Sequence, residues 1–226
     1  MRTTHLDAIK RVGNDLLLCD CGVRLPHLFR VAAALGFTDL LFASGIPGTV
    51  GGGVYMNAGA YGKSLGELVK SVTVFQSDRR KIKTYFSKEL TFNYRKSLFQ
   101  DNNDVILQVA LKLSQRDEQE KILESAQRLA AHRAASQPLT MPSAGSAFLR
   151  AATGESMGKI IDELGLKGLR CGNAAVSEKH AGFIVNLGGA TASDVLLLIS
   201  NIQEIVEKKC GFRPETEIRY ITEKET

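Results

Sequence analysis

Apolar residues recur along the chain with two periods, one typical of helices and one typical of strands. Residues 24–35 carry apolar side chains at helical spacing and are followed by Gly36, which predicts a helix with a glycine C-cap. Residues 107–113 have a large apolar side chain at every second position, which predicts a half-buried strand. Because helices and strands are mixed without a regular βαβ order, the pattern predicts an α+β fold.

The remaining runs predict further elements on both sides of a long charged helix at 115–135. Strands are predicted at 14–19, 68–75, 81–85, 183–187 and 217–221, and helices at 154–164 and from Thr191 or Ser193 to Lys209. A segment rich in Pro and Ser follows the charged helix at 137–146, so we expect a domain boundary after residue 136.

Residues 42–62 form a glycine-rich stretch in which seven of 21 residues are Gly. Because glycine has no Cβ, its backbone N–H groups can approach a bound group closely, and consecutive amides can hold an anion such as phosphate. The same composition is also typical of a tight, buried loop between two packed elements. Composition alone leaves both interpretations open.

Composition and charge exclude several classes of protein. Hydrophobic residues make up 44% of the 226 residues and charged residues 23%, as in ordinary globular proteins. The net charge of +5 comes without a run of five basic residues or any alternation of aromatic and basic residues, so we expect no nucleic-acid partner. No apolar stretch reaches the ~18 residues of a membrane span, and residues 1–18 contain no apolar h-region, so we expect a cytoplasmic protein.

Four cysteines, Cys19, Cys21, Cys171 and Cys210, lack the spacing of a zinc site. We therefore expect reduced cysteines that mostly serve packing, and no bound metal. Residues 154–158 match the G-x-S-x-G pattern, but no strand leads into Ser156, so a nucleophile elbow is weakly supported.

Several polar residues allow either a structural or a chemical role. Ser146 follows Gly145 in a turn that can direct its hydroxyl group into a cleft, although taken alone it is typical of a turn or cap. Arg95, beside Tyr94, could bind a carboxylate with two hydrogen bonds or lie solvated on the surface.

Glu215, Glu217 and His180, in the C-terminal part of the chain, likewise allow either a structural or a chemical role. Glu215 and Glu217 share a face of the predicted last strand, where burial would raise a carboxyl pKa and exposure would leave a solvated edge. His180 lies in a polar turn before a strand, a place where histidines are more often structural.

The order of residues 45–52 and 56–60 closely resembles the flavin-binding loop of the UDP-N-acetylenolpyruvoylglucosamine reductase family, the MurB type. Further matching motifs follow in the same order and extend the resemblance, to the compact subtype of that family, over nearly the whole chain. They are residues 94–99, 137–146, 165–170, 176–181, Asn186, 190–192 and 215–219.

The resemblance implies a vanillyl-alcohol-oxidase-like, FAD-binding fold followed by a C-terminal α+β substrate domain. It implies that NADPH reduces FAD and leaves, and that UDP-N-acetylglucosamine enolpyruvate then receives the hydride at its vinyl carbon. By the same resemblance Arg95 and Glu217 stabilise the resulting enolate, and Ser146 delivers a proton to the adjacent carbon. Residues implied to bind substrate are Tyr94, Arg150 and His180. Residues implied to bind the cofactor are Ser44, Gly45, Ile46, Pro47, Gly48, Thr49, Gly51, Gly52, Asn57, Ala58 and Gly59.

The family also has an additional N-terminal flavin subdomain, and Met1 stands where the second flavin subdomain would already be under way. We therefore expect residues 1–136 to be the second FAD subdomain with a connecting helix, and 137–214 the substrate domain. Residues 215–226 would be a strand that returns to the FAD domain. The favoured interpretation is a truncated piece of a genuine reductase, with the missing subdomain as a potential partner in trans. The alternatives are a UDP-sugar binding module that has lost its redox chemistry and another flavoenzyme of the same wider fold, such as an oxidase. Two departures from the family pattern, no Pro after Arg150 and Gly182 in place of Asn, concern the substrate pocket.

Overall fold

A computed structural model describes residues 5–221 of the chain. The chain divides into two compact units, residues 1–130 and 131–226, and the division falls inside a long helix whose end coincides with the sequence-based boundary. The elements of the first unit are β1 Ile9–Val12, β2 Leu16–Asp20, α1 Leu25–Ala34, α2 Val50–Tyr55, β3 Gly59–Ala60, β4 Lys63–Ser64, β5 Val69–Gln76, β6 Lys81–Phe86, β7 Phe92–Asn93, β8 Lys96–Ser97 and β9 Asp104–Lys112. After the dividing helix, α3 Gln119–Ser136, come β10 Ser143–Ser146, α4 Met157–Glu163, β11 Arg170–Cys171, β12 Ala174–Val176, β13 Phe183–Asn186 and α5 Ala192–Cys210.

The first unit is built on an antiparallel five-stranded sheet with the order β1-β2-β9-β5-β6. Burial alternates along β5, as expected for a strand with one face on the core. The core side chains come from the sheet and from α1, among them Leu17, Leu28, Val72 and Val109, all at most 1% exposed. The predicted helix at 24–35 and the predicted strand at 107–113 correspond to α1 and β9.

The second unit has a four-stranded antiparallel sheet with the order β10-β13-β12-β11 and a core that includes α4 and α5. Helix α5 begins at a capping box in which Thr191 and Asp194 each accept a hydrogen bond from the other's backbone N–H. It ends at Gly211, whose φ of 79° is the left-handed conformation that glycine adopts at helix ends. Leu198 and Ile202 on the inner face of α5 are buried in this core.

The predicted strand at 217–221 is wrong. Thr216 forms a single isolated bridge with Phe148, and the backbone bends at Glu217 and Ile218 instead of continuing along a sheet. Residues 219–221 are all exposed. They therefore lack the alternation of buried and exposed side chains that a strand packed on a core shows. Residues 222–226 lie outside the described part of the chain, and the return of this segment to the first domain stays a prediction.

Candidate active site

The glycines of residues 42–62 divide into a buried group and an exposed group. Gly51 and Gly53 lie on the inner face of α2, where an added Cβ would stand 2.8 Å from the Cβ of Cys21 and 2.6 Å from Cδ1 of Leu65, respectively. Both glycines therefore let α2 pack closely onto the core. For these two residues the structure supports the packing interpretation, and the expected contact of Gly51 with the cofactor stays a prediction.

The exposed group forms a rim that carries hydrogen-bond donors. Gly48 has a φ of 133°, and an added Cβ there would meet no atom within 4 Å. In the described structure the backbone N–H groups of Gly45, Gly48 and Thr49 donate to no other group, while the Thr49 hydroxyl accepts from the N–H of Gly52. A rim of open glycine backbone with available N–H donors fits a bound phosphate or the polar edge of a flavin, so FAD suits this part of the chain.

The other predicted cofactor-binding residues support the rim. The backbone N–H of Ser44 donates to Leu41, and the Ile46 side chain packs against the core, while Pro47 is exposed between them and Gly48. Ala58 donates its N–H to the Gly53 carbonyl at 2.7 Å. Gly59 pairs with Ser64, and an added Cβ at Gly59 would collide with the Lys63 carbonyl oxygen.

Asn57 is buried, and its side-chain amide is held inside the first unit at both ends. Its Nδ2 donates to the Asn93 carbonyl at 2.8 Å, and its Oδ1 accepts from the N–H of Gly66 at 2.9 Å. These bonds account for a left-handed residue, φ 43°, directly after α2. In this structure the Asn57 side chain joins the glycine loop to the β7–β8 hairpin.

The β7–β8 hairpin presents Tyr94 and Arg95 at its two-residue turn. Arg95 has a φ of 54°, a left-handed conformation that residues other than glycine seldom adopt. Its guanidinium carbon lies 5.1 Å from the centre of the Tyr94 ring, within the range of a cation–π contact. Tyr94 itself is 52% exposed, so an aromatic face and a cation stand together at the surface of the first unit.

Ser146 stands at the end of β10, just after a β-bulge. Ser143 pairs with Val185 but Ser146 pairs with Phe183, so β10 holds one residue more than the strand opposite, and Gly145 takes the left-handed φ of 86°. Ser146 is exposed, and its hydroxyl group has no hydrogen-bond partner among the described residues. This is an accessible hydroxyl on a short, fixed strand, which the sequence could show only as a serine in a turn.

A backbone hydrogen bond joins Glu217 to Ala147, the residue directly after Ser146. The N–H of Glu217 donates to the carbonyl of Ala147 at 2.9 Å, and the N–H of Leu149 donates to the carbonyl of Glu215 at the same distance. Ala147 in turn donates to the Gly182 carbonyl at 2.8 Å, so residues 147–149 lie between the start of β13 and the end of the chain. Of the three predicted catalytic residues, Ser146 and Glu217 thus belong to one unit, while Arg95 belongs to the other.

Two predicted substrate-binding residues also lie in the second unit. The Arg150 guanidinium donates to the Gly154 carbonyl at 3.0 Å and closes the loop before α4, while remaining exposed. His180 is half-buried against Phe183, and its Nδ1 accepts from the Gly182 N–H at 3.1 Å, which leaves the proton of the neutral ring on Nε2. Burial, followed by the positive charge of Lys167, lowers the pKa of His180 despite an opposing hydrogen-bond effect.

Residues 5–221 contain no group of three or more His, Cys, Asp or Glu side chains placed to hold a metal ion. No helix in that same range has both the length and the apolar character required to cross a bilayer.

Sequence reasoning did not single out Ser97 and Gln100, whose side chains both donate to the Tyr55 carbonyl at the end of α2. In the sequence, Ser97 and Gln100 are recognisable only as the polar residues that flank the apolar pair Leu98-Phe99.

Comparison with known proteins gives matches over nearly the whole chain. Residues 2–83 match the FAD binding domain family, and residues 137–221 match the C-terminal domain of UDP-N-acetylenolpyruvoylglucosamine reductase. The UDP-N-acetylenolpyruvoylglucosamine reductase of Pseudothermotoga lettingae is 44% identical over 207 residues, which cover 92% of this chain and 72% of that protein. The protein of the same name from Pediococcus pentosaceus is 44% identical over 220 residues, covering 97% of this chain and 72% of that protein.

A solved structure agrees with these relatives. The crystal structure of UDP-N-acetylenolpyruvylglucosamine reductase from Thermus caldophilus superimposes with a TM-score of 0.78 at 39% identity, covering 89% of this chain and 71% of that one. The α+β fold class and the resemblance drawn from the sequence motifs are confirmed by these matches.

Proposed function

The chain belongs to the UDP-N-acetylenolpyruvoylglucosamine reductase family, an FAD-binding oxidoreductase family, and on that premise we propose the reaction and the residues that carry it. The proposed reaction is the reduction of UDP-N-acetylglucosamine enolpyruvate to UDP-N-acetylmuramate. NADPH is the electron source, and the product is a precursor of peptidoglycan, made in the cytoplasm.

The observation that carries the proposal is the accessible Ser146 hydroxyl with the backbone of Glu217 beside it. When bound and already reduced by NADPH, the flavin would supply a hydride to the vinyl carbon of the substrate, which leaves negative charge on the carbon next to the carboxylate and on the carboxylate itself. Ser146 Oγ then gives its proton to that adjacent carbon. A serine can act as this acid because the carbanion-like centre is far more basic than water, provided that the hydroxyl is held against it.

Arg95 and Glu217 have the complementary role of stabilising the enolate. The guanidinium group of Arg95 can bind the substrate carboxylate through two hydrogen bonds, which supplies a fixed positive charge where negative charge develops. Glu217, when protonated, can donate one more hydrogen bond to an enolate oxygen. Tyr94, Arg150 and His180 are proposed to contact the substrate, with Arg150 on the side of the diphosphate or uridine.

The cofactor is proposed to lie on the exposed rim made by Gly45, Pro47, Gly48, Thr49 and Gly52. The N–H groups of Gly45, Gly48 and Thr49 would donate to it. Ser44, Ile46, Gly51, Asn57, Ala58 and Gly59 would then act by shaping the loop, because their described contacts are internal.

The two half-reactions separate the roles and test the proposal. In stopped-flow absorbance experiments, Ser146→Ala is expected to leave the reduction of bound flavin by NADPH unchanged. The same substitution should slow reoxidation by UDP-N-acetylglucosamine enolpyruvate by a factor of ~10²–10⁴, the usual contribution of a general acid. Ser193→Ala, which changes an exposed serine in the first turn of α5 in the same unit, is the matched control and should leave both half-reactions unchanged.

Two results would contradict the proposal. If the flavin-loaded chain oxidised no NADPH in the presence of this substrate, the reductase function would be wrong for this polypeptide, and binding of the UDP-sugar alone would favour a binding module. If Ser146→Ala and Ser193→Ala behaved alike in the oxidative half-reaction, Ser146 would not be the proton donor.

A further inference from the structure

Gln100 lies next to the backbone of the arginine turn without belonging to it. Its Nε2 donates to the Arg95 carbonyl at 3.0 Å and to the Tyr55 carbonyl at 2.8 Å. Its side chain is half-buried, and the 3₁₀ turn that holds it begins directly after β8. One amide group therefore joins the turn that presents Arg95 to the last residue of α2.

The conformation of Arg95 needs support from its surroundings. A left-handed φ is costly for a residue with a side chain, and such residues persist where neighbouring groups hold the backbone in place. Here the turn is held at both ends, because Asn57 donates to the carbonyl of Asn93 before it and Gln100 donates to the carbonyl of Arg95 itself.

The hydrogen bonds that hold the turn are connected to two residues of the glycine loop, Tyr55 and Asn57. Tyr55 ends α2, its carbonyl accepts from both Ser97 Oγ and Gln100 Nε2, and Asn57 follows it by two positions. The rim that is proposed to bind the cofactor and the turn that carries Arg95 are thus fastened to each other within one unit. A displacement of either would be transmitted to the other through these bonds.

We propose that Gln100 is a positioning residue, which holds the Arg95 guanidinium in register with the glycine loop so that Arg95 meets the developing enolate. The inference rests on the proposed role of Arg95 in the reductase reaction. Gln100 itself touches neither substrate nor cofactor in this scheme and acts through Arg95. Since a misplacement of about 1 Å can cost a factor of ~100 in rate, the hydrogen bond from Gln100 to the Arg95 carbonyl is enough to matter.

The kinetic test uses the flavin-loaded chain and a double-mutant cycle. Gln100→Ala is expected to slow flavin reoxidation at saturating substrate by roughly 10- to 100-fold, with flavin reduction by NADPH unchanged. In an Arg95→Ala background the same change should alter reoxidation less than about twofold, because its effect passes through Arg95. Equal fold-losses in both backgrounds would overturn the proposal and leave Gln100 with a general structural role.

Two further variants separate the hydrogen bonds from the volume of the side chain. Gln100→Lys keeps hydrogen-bond donors at this position and should retain more of the reoxidation rate than Gln100→Ala. Gln100→Glu has nearly the same shape but, when ionised, offers only acceptors to two carbonyl oxygens, so its rate should fall at least as far as that of Gln100→Ala. A Glu variant as active as the Lys variant would contradict the proposed mechanism.

A second readout is independent of catalysis. Hydrogen exchange of the β7–β8 hairpin, followed by mass spectrometry, should become faster by roughly fivefold in Gln100→Ala, because the hairpin loses the hydrogen bond on its Arg95 carbonyl. Gln108→Ala is the matched control, because Gln108 also donates a half-buried side-chain bond, to Asp20 at 3.0 Å, but from the central strand β9. Unchanged exchange of the hairpin in Gln100→Ala would overturn the inference.

The two kinds of failure are distinguishable. If Arg95→Ala reoxidised its flavin at the normal rate, the role assigned to Arg95 under the proposed function would be wrong, whatever happened to the hairpin. If Arg95→Ala were impaired but Gln100→Ala were not, only the positioning role of Gln100 would be wrong.

Discussion

Ser146 pairs with Phe183 only because the chain gains one residue between Ser143 and this point of the sheet. The extra residue forms a bulge that contains Gly145 in the left-handed conformation, and it reverses the alternation of side chains along β10. The position of the proposed proton donor therefore depends on a backbone conformation that glycine adopts without strain. The bulge can be tested without altering Ser146.

Gly145→Ala should damage catalysis more than its effect on stability would suggest. A Cβ at φ 86° costs about 1–2 kcal/mol of unfolding free energy, and relaxation of the bulge would displace Ser146. We expect flavin reoxidation by substrate to slow more than ~10-fold. Gly211→Ala is the matched control, since Gly211 has a φ of 79° and equally open space around its missing Cβ. It should lose similar stability and keep its activity, and an equal loss of activity in both variants would contradict the role of the bulge.

Two adjacent glycines of α2 should respond to alanine with opposite signs. Gly52 is exposed on a helix, so Gly52→Ala should stabilise the flavin-free chain by about 0.5–1 kcal/mol, yet weaken FAD binding at the rim. Gly51 is packed on Cys21, so Gly51→Ala should destabilise it by about 1–3 kcal/mol. Thermal unfolding and fluorescence titration with FAD measure the two effects. Unaltered FAD affinity in Gly52→Ala would place the cofactor elsewhere.

His180 should make the protein less stable in mild acid. Burial lowers its pKa in the folded state below the usual value of 6.5, so the unfolded chain binds the proton more readily. The stability contributed by the neutral ring is fully present above about pH 6.5 and is lost as the pH falls through the lower, folded-state value. His180→Asn, which keeps an acceptor for the Gly182 N–H, should flatten the decline of the unfolding temperature between about pH 7 and 5. An unchanged slope would contradict the assignment to His180.

The four thiols should differ sharply in reactivity. Cys19, Cys21 and Cys171 are buried and Cys210 is exposed, and burial together with the nearby Asp20 charge raises the pKa of Cys19 to about 12. A chromogenic disulfide reagent should therefore modify Cys210 alone in the native chain and all four thiols in denaturant. Cys210→Ser should remove the native reaction. Rapid native modification of Cys19 would show that this side of the core opens readily.

Elements with strong local patterns could be predicted from sequence. Helix α1 has apolar residues at helical spacing, Pro26 near its start and Gly36 after it, and its observed bounds differ from the prediction by one residue at each end. Strand β10 escaped prediction because its four residues, SAGS, have no large apolar side chain and are held by backbone bonds to β13. Strand β1 escaped because it lies at the sheet edge with three of its four residues exposed.

The site shows the same limit. The motifs predicted Ser146, Arg95 and Glu217 as candidate catalytic residues. They could not predict the hydrogen bond between Glu217 and Ala147, because it joins positions far apart in sequence and leaves no local pattern. Likewise, Gly51 and Gly52 are adjacent residues of the same type. They differ only in the face of α2 on which they lie: Gly51 packs on the core and Gly52 belongs to the exposed rim. Predicting these required knowledge of which segments meet.

The central place of β9 has a consequence for how the protein is made. This strand pairs with β2 on one side and β5 on the other, so Asp20 and Gln108 become neighbours although most of the first unit separates them in sequence. During synthesis at about 5–20 residues per second, β2 and β5 leave the ribosome seconds before their common partner. The nascent chain therefore carries two unpaired strand edges until β9 arrives, and unpaired edges are where a partly made chain can pair with other chains.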